Sequence, residues 1–204
     1  MEIKNIIFDM GGVIIDFRPE FTLKKYFENE KDRELILQNV FKSSVWQDMD
    51  RGTASHEQMK EYACKHLPPH LHNRVCHLLD NWFDEMPPKE DMYEVVKALK
   101  ENGYKIYLLS NVSKVFYEHK DSIPAFSLFD GFLISADYLL LKPEKEIFEK
   151  LYEVFSLKPD ECFFIDDMQK NTDGAIHAGM ASYCFADGDI DRLKAAMRLI
   201  GIKI

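Results

Sequence analysis

Ile6-Ile7-Phe8-Asp9-Met10-Gly11-Gly12 reads as an apolar run that stops on an aspartate and a double-glycine turn. Ile3, Ile6, Ile7 and Phe8 crowd into six positions with no helix-length continuation, so Ile3 to Phe8 is expected to form a buried strand. A carboxylate at the mouth of such a strand is costly unless it meets a metal, a substrate or hydrogen-bond donors. Asp9 is therefore the first candidate for chemistry. The glycines that follow permit backbone angles and close approaches that side chains would block.

Working outward, the texture changes. From about Pro19 to Phe83 the chain is helical in pattern and poor in β-branched residues. Phe21, Leu23 and Phe27, then Leu35, Ile36 and Val40, mark two short amphipathic segments. A third starts at Ser55, which forms a capping-box pattern with Gln58 and carries Met59, Tyr62, Ala63 and Leu67 until Pro68-Pro69 stops it. A fourth runs from His70 to Trp82 through Leu71, Val75, Leu78 and Leu79. Four such helices bury their stripes only against one another or against a core, which implies a small helical bundle.

Pro87-Pro88 marks the return. A helix through Met92, Val95, Val96 and Leu99 closes near Asn102-Gly103. Strands are then expected at Ile106 to Leu109, Phe129 to Ile134, Cys162 to Ile165 and Ser182 to Phe185, alternating with helices at Val112 to Ile123, Glu144 to Phe155, Gln169 to Ala178 and Ile190 to Ile200. That alternation implies an α/β fold with a mainly parallel sheet flanked by helices. Residues 1–16 and 87–204 form the expected core, and residues 17–86 an inserted α-helical cap positioned to fold over the site.

With 204 residues there is room for one substantial core plus a small inserted module. A hydrophobic content of 46% against 30% charged, with no run of about 20 apolar residues, fits a globular chain and not a membrane span. Met1-Glu2-Ile3-Lys4-Asn5 leads directly into the first strand, so a cytoplasmic location is expected. Asp and Glu total 35 against 26 Lys and Arg, a net charge of -9 without a basic block, which excludes nucleic acid as an expected partner. A monomer or weak homodimer fits this composition. Cys64, Cys76, Cys162 and Cys184 show neither ligand nor redox spacing and are expected as buried, reduced thiols. His66, His70 and His72 cluster near Pro68-Pro69 without an acidic partner at ligand spacing, as expected of a solvated loop.

Four polar clusters follow successive core strands: Asp9 with Gly11-Gly12, Ser110-Asn111, Lys142-Pro143 and Asp166-Asp167. In an open parallel sheet these lie outside the carboxyl ends of the strands, where ligands bind. Three carboxylates converging on one cleft repel unless a cation joins them, and all-oxygen ligation suits Mg2+ better than zinc. Ser110 offers a hydroxyl, Asn111 an amide, the following helix its free N–H groups and Lys142 a mobile positive charge, which together complement a phosphate. Asp9 could then attack phosphorus in line and form an aspartyl-phosphate. Ser110 could instead simply cap the next helix, Lys142 could be a surface lysine and Asp167 a helix cap.

These motifs resemble those of the haloacid dehalogenase-like hydrolase superfamily: Phe8-Asp9-Met10-Gly11-Gly12-Val13, Leu109-Ser110-Asn111, Lys142-Pro143 and Phe164-Ile165-Asp166-Asp167. The likeness spans nearly the whole chain and implies a Rossmann-like core with a helical cap. By this resemblance Asp9 is the nucleophile, Asp9, Gly11 (through its carbonyl) and Asp167 hold Mg2+, and Ser110, Asn111 and Lys142 bind the phosphorylated substrate. Asp166 and Asn171 support the metal loop. The implied activity is that of a phosphoric monoester hydrolase acting on a small phosphorylated metabolite.

Gly11 departs from the usual pattern, in which a second aspartate protonates the leaving oxygen. An acid/base group of that kind contributes about 10² to 10⁴ in rate, roughly 3 to 5 kcal/mol. The loss favours a good leaving group such as an anomeric sugar 1-phosphate. The same glycine resembles a subgroup that includes bacterial α-D-glucose-1-phosphate phosphatase. A haloacid dehalogenase and a non-catalytic phosphate-sensing or protein-binding homologue are the alternatives. Trp46 with Asp48, Asp50 and Arg51 could face a substrate sugar or fill the cap's core. Asp16 and Arg18 could act at the site or brace the crossing into the cap.

Overall fold

A computed structural model describes residues 2–204. Five strands, β1 (Asn5–Phe8), β2 (Lys105–Ser110), β3 (Gly131–Ile134), β4 (Cys162–Asp166) and β5 (Ala181–Cys184), form one parallel sheet in the order β3-β2-β1-β4-β5. β1 is central because Ile6, Ile7 and Phe8 are wholly buried, which only an inner strand covered on both faces allows. Ile6 and Phe8 face the larger apolar cluster, and Ile7 faces the other with Leu109, Phe148 and Phe164. The fold is therefore the parallel α/β architecture expected from the alternation of elements.

The register fixes the site. Phe8 pairs with Leu108 on one side and Ile165 on the other, so Asp9 emerges level with the ends of β2 and β4. The chain runs from β1 outward through β2 to β3, then crosses back to β4 on the opposite side. The crevice between β1 and β4 is thus the switch point where such sheets bind ligands.

Between β1 and β2 lie α1 (Pro19–Tyr26), α2 (Glu30–Ile36), α3 (Ser44–Arg51), α4 (His56–His66) and α5 (His72–Asp80). α2 continues into a π-turn at Leu37–Phe41, and the Ser55–Gln58 capping box is formed on both sides. The insert thus has five α-helices among the described residues, not four. α3 was missed because its eight residues carry only Val45, Trp46 and Met49 as an apolar face among polar neighbours.

The core helices are α6 (Glu90–Glu101), α7 (Phe116–His119), α8 (Ser135–Tyr138), α9 (Lys145–Phe155), α10 (Gln169–His177) and α11 (Ile190–Leu199). The helix expected over Val112 to Ile123 is only α7 followed by a 3-10 turn at Lys120–Ser122. The strand expected from Phe129 starts instead at Gly131. Asp130 is held at its edge, where its carboxylate accepts from the Ile106 N–H and pairs with Lys100 and Lys105. Ile3 lies outside β1.

The insert leaves and re-enters through paired segments. The Asp16 N–H donates to the Pro87 carbonyl at 2.9 Å, the Lys89 N–H donates to the Ile14 carbonyl at 2.9 Å, and Ile15 bridges Pro88 antiparallel. A second fastening joins α3 to α8. Gly52 has φ +86°, and a Cβ there would come 2.4 Å from the Ala136 carbonyl oxygen. Arg51 pairs with Glu144 and donates to the Leu139 carbonyl, and the Ser135 hydroxyl bonds the Asp50 carbonyl.

All four cysteines are free, but only Cys162 is buried. Packing of α4 on α5 brings the Sγ atoms of Cys64 and Cys76 to 3.8 Å, a proximity their spacing did not suggest. No helix among the described residues is long and apolar enough to cross a membrane.

Candidate active site

At the end of β1, Asp9 is 8% exposed and its Oδ1 is doubly held. The Met10 N–H donates to it at 2.7 Å, and Lys142 Nζ lies 2.7 Å away. Oδ2 meets no donor among the described residues, so one oxygen is fixed and the other is left for the cleft. Lys142 is 3% exposed and also donates to Asp166 Oδ2 at 2.7 Å and to the Leu109 carbonyl at 2.9 Å. Its three N–H bonds are all engaged. Lys142 is therefore not the mobile cation expected from its loop but a fixed positive charge locked between two carboxylates.

Asp166, completely buried, is saturated with donors. The Asn171 amide reaches both its oxygens at 2.9 and 3.1 Å, and the Met168 N–H donates to Oδ1 at 2.8 Å. Its immediate task is to hold Lys142. Asn171 in turn braces Asp166, four residues beyond Asp167 on the first turn of α10.

Asp167 turns towards the glycine pair. Gly12 has φ +72°, and a Cβ there would lie 2.4 Å from Asp167 Oδ2. Glycine avoids both the strain of that backbone and the close approach to the carboxylate behind it. Gly12→Ala is expected to displace Asp167 and lower Mg2+ affinity by at least about tenfold. A magnesium titration followed by calorimetry checks this, and unchanged affinity would refute it.

One oxygen from each of Asp9, Asp166 and Asp167 lies within 4.8 Å of the others. Burial first, then Asp166 and Asp167, push the Asp9 carboxyl up to about 7 against the pull of Lys142. Burial and Asp166 likewise raise Asp167, opposed by Lys142 and Lys89. Burial draws the Lys142 ammonium down, but Asp166 and Asp9 outweigh it and leave it above its usual range. Lys142 compensates one carboxylate of three, so the donor set is short of positive charge and consists of oxygen atoms. A hard divalent cation such as Mg2+ fits it. No hydrogen bond engages the Gly11 carbonyl among the described residues, leaving it free as a further oxygen donor.

Ser110 is buried at the end of β2, yet its hydroxyl meets no partner among the described residues. Asn111 behaves differently. Its Oδ1 accepts from the Lys142 N–H at 2.8 Å and its Nδ2 donates to the Lys142 carbonyl at 3.0 Å. The amide expected to face substrate instead clamps the backbone that carries Lys142. Nor does a helix N-terminus follow directly, since residues 111–113 are loop and α7 starts at Phe116.

A cavity of about 290 Å³ lies between the insert and the segment that follows β2. Trp46, Trp82, Asp50, Val112, Ser113 and His119 are on its wall. Trp46 also packs on Phe41 and Trp82, so it shapes the cavity and fills the insert's core at once. Asp48 is not on that wall, and Arg51 points to Glu144. Asp16 pairs with Arg18 and belongs to the crossing segments. His66 and His72 bond the backbone carbonyls of Tyr62 and Leu67, and His70 faces Asp32, so the three do not converge.

Lys89 escaped the sequence reading. Its ammonium reaches the Gly12 carbonyl from the returning segment, and burial lowers its pKa against the pull of Asp16 and Asp167. The preceding Pro87-Pro88 pair marked the crossing but gave no sign of this long-range contact.

The family model for haloacid dehalogenase-like hydrolases matches residues 3–179. The chain belongs to that family. Relatives of this hydrolase include a pyrophosphatase PpaX from Bacillus mycoides, 25% identical over 188 residues, covering 88% of this chain and 81% of the relative. A D-ribitol-5-phosphate phosphatase from Bacteroides thetaiotaomicron is 25% identical over 189 residues, 87% of each protein. Among solved structures, a haloacid dehalogenase-like enzyme from Bacteroides thetaiotaomicron in complex with magnesium and inorganic phosphate superposes with a TM-score of 0.69 at 24% identity, covering 94% of this hydrolase and 98% of that chain. This last likeness shows a shared fold.

Proposed function

We propose that this hydrolase is a Mg2+-dependent phosphatase of a small phosphorylated metabolite, with a sugar 1-phosphate the first candidate, working through an aspartyl-phosphate on Asp9. The observation that carries the reading is the Asp9–Lys142–Asp166 chain at the sheet's switch point. A carboxylate attacks phosphorus poorly unless it is fixed and its target neutralised, and this chain fixes it.

Asp9, Asp167 and the Gly11 carbonyl would hold Mg2+, which when bound supplies charge neutralisation for the phosphoryl oxygens. The oxygen of Asp9 left free by Lys142 and Met10 attacks phosphorus. Lys142 holds its charge beside the transferring group, kept there by Asp166, Asn171 and the Asn111 clamp. The Ser110 hydroxyl is free to donate to a phosphate oxygen. Residues 17–86 act as a cap that selects the leaving group and excludes water. The free cysteines suit a reducing, cytoplasmic setting.

Dehalogenation is disfavoured because Asp166 and Asp167 would repel an anionic haloacid. A non-catalytic binding role leaves the locked Asp9 without a purpose. Phosphate release from sugar 1-phosphates, alditol phosphates and inorganic pyrophosphate, with magnesium or with chelator, tests the proposal. Magnesium-dependent turnover of at least one class is expected, and none across all three would refute it.

A further inference from the structure

Breaking a P–O bond leaves an electron pair on the departing oxygen, and an alkoxide leaves slowly unless a proton arrives with it. Within the strand-end cluster Asp9 is the nucleophile, Asp167 would hold the metal and Ser110 faces the phosphate, so none of these is left to supply one. Lys142 has every N–H engaged, Asp166 is sealed among donors, and Gly11 has no side chain. Asp50 differs from all of these. It stands one residue before the end of α3, on the wall of the cavity next to Val112 and Ser113, the loop that follows Ser110. Its carboxylate meets no donor among the described residues, yet neither oxygen is sealed inside the protein, so the group opens into the cleft.

The backbone of Asp50 is clamped from the core side. The Ser135 hydroxyl donates to its carbonyl and accepts the Val112 N–H at 2.9 Å, tying α3 to the loop at the end of β2. Gly52 against Ala136 and Arg51 against Glu144 fasten the following turn. Two other carboxylates line the same cavity, but Asp80 is paired with Lys60 and His56, and Glu118 is exposed on α7. Asp50 alone among them is tied through its own backbone to the loop that follows Ser110.

We propose that Asp50 is the acid and base of this reaction, supplied by the insert where the β1 turn has only Gly11. The assignment rests on the phosphatase reading. As Asp9 attacks phosphorus, the bond to the leaving oxygen breaks. That oxygen keeps the electron pair and takes the Asp50 proton, giving the alcohol, an aspartyl-phosphate on Asp9 and an Asp50 carboxylate. Water then attacks the phosphorus and gives one proton to Asp50. The bond to Asp9 breaks with its electrons returning to the carboxylate, and hydrogen phosphate departs. Both aspartates end as they began. Burial and the Asp9 charge hold the Asp50 carboxyl well above the usual carboxylate range, against the pull of Lys142, which favours the form that donates.

The test compares 4-nitrophenyl phosphate, whose leaving group departs unprotonated, with phenyl phosphate, whose leaving group needs the proton more. In Asp50→Asn the first-turnover burst of nitrophenolate is expected to stay within about threefold of wild type. Phenol release should fall by about 10- to 10²-fold, and phosphorylated protein should accumulate because the second step lacks its base. Asp50→Glu should recover part of the loss. Equal slowing of both esters, or none, would overturn the assignment. If the wild type shows no Asp9-dependent turnover of either ester and none of the sugar 1-phosphates, alditol phosphates or pyrophosphate, the phosphatase reading itself falls and the role of Asp50 falls with it. Intact wild-type turnover with no change in Asp50→Asn removes only the role of Asp50.

Discussion

Asp9→Asn is expected to lower magnesium-dependent phosphate release by about 10⁴-fold or more while leaving the protein folded. The amide keeps the shape of the carboxylate but cannot form the acyl-phosphate bond. The fold should survive because the substitution removes a buried negative charge that Asp166 and Asp167 already oppose. The lost pairing with Lys142 is offset, since Asp166 still holds the lysine at 2.7 Å. Phosphate-release kinetics with purified protein, alongside thermal melting, check both halves. A residual rate within tenfold of wild type would remove Asp9 from the role of nucleophile.

Lys142→Met carries the second large effect, on stability as well as activity. It leaves Asp9 and Asp166 buried without their shared cation, and breaking a buried pair from one side costs about 3 to 5 kcal/mol. The sign of the pH dependence follows from linkage. Burial already raises Asp9 to about 7, and loss of Lys142 would lift it further. A carboxyl raised on folding favours the native state most below its unfolded pKa, and that contribution disappears as pH climbs through the folded value. The deficit of the variant should therefore be largest near about pH 8 and shrink near about pH 5, where Asp9 takes up a proton. Urea denaturation at both pH values measures it. A deficit below about 1 kcal/mol, or one equal at both, would mean that the lysine does not anchor the cluster.

Much of this was legible because the decisive signals are local. An apolar run ending in Asp9, Ser110 or Asp166 marks both a strand and its functional end, and parallel pairing then brings those ends together. The capping box at Ser55 was readable for the same reason. What could not be read were consequences of packing between distant segments. Lys142 looked mobile because nothing near it in sequence shows that Asp9, Leu109 and Asp166 would each take one of its donors. Asn111 looked like a ligand because its clamp on the Lys142 backbone spans 31 residues. The Cys64–Cys76 approach and the contact between Lys89 and Gly12 likewise depend on how the helices and crossing segments dock. α3 went unseen because its boundary signals, Ser43 at one end and Gly52 at the other, frame only eight residues. Asp50 stands out in the sequence, but its place beside the loop that follows Ser110 depends on the α3–α8 contact.

The strand order has a consequence for how the molecule is made. β1 is the first strand of this sheet to be synthesised and the innermost in the finished sheet. Its neighbours are residues 105–108 on one side and 162–165 on the other. Throughout synthesis of the insert, Ile6, Ile7 and Phe8 have no partner strand, although they end completely buried. Pairing so remote in sequence is slow, and unpaired apolar strands invite aggregation. The nascent chain therefore carries this apolar strand unpaired while the insert is made and can shelter it fully only after β4 has emerged.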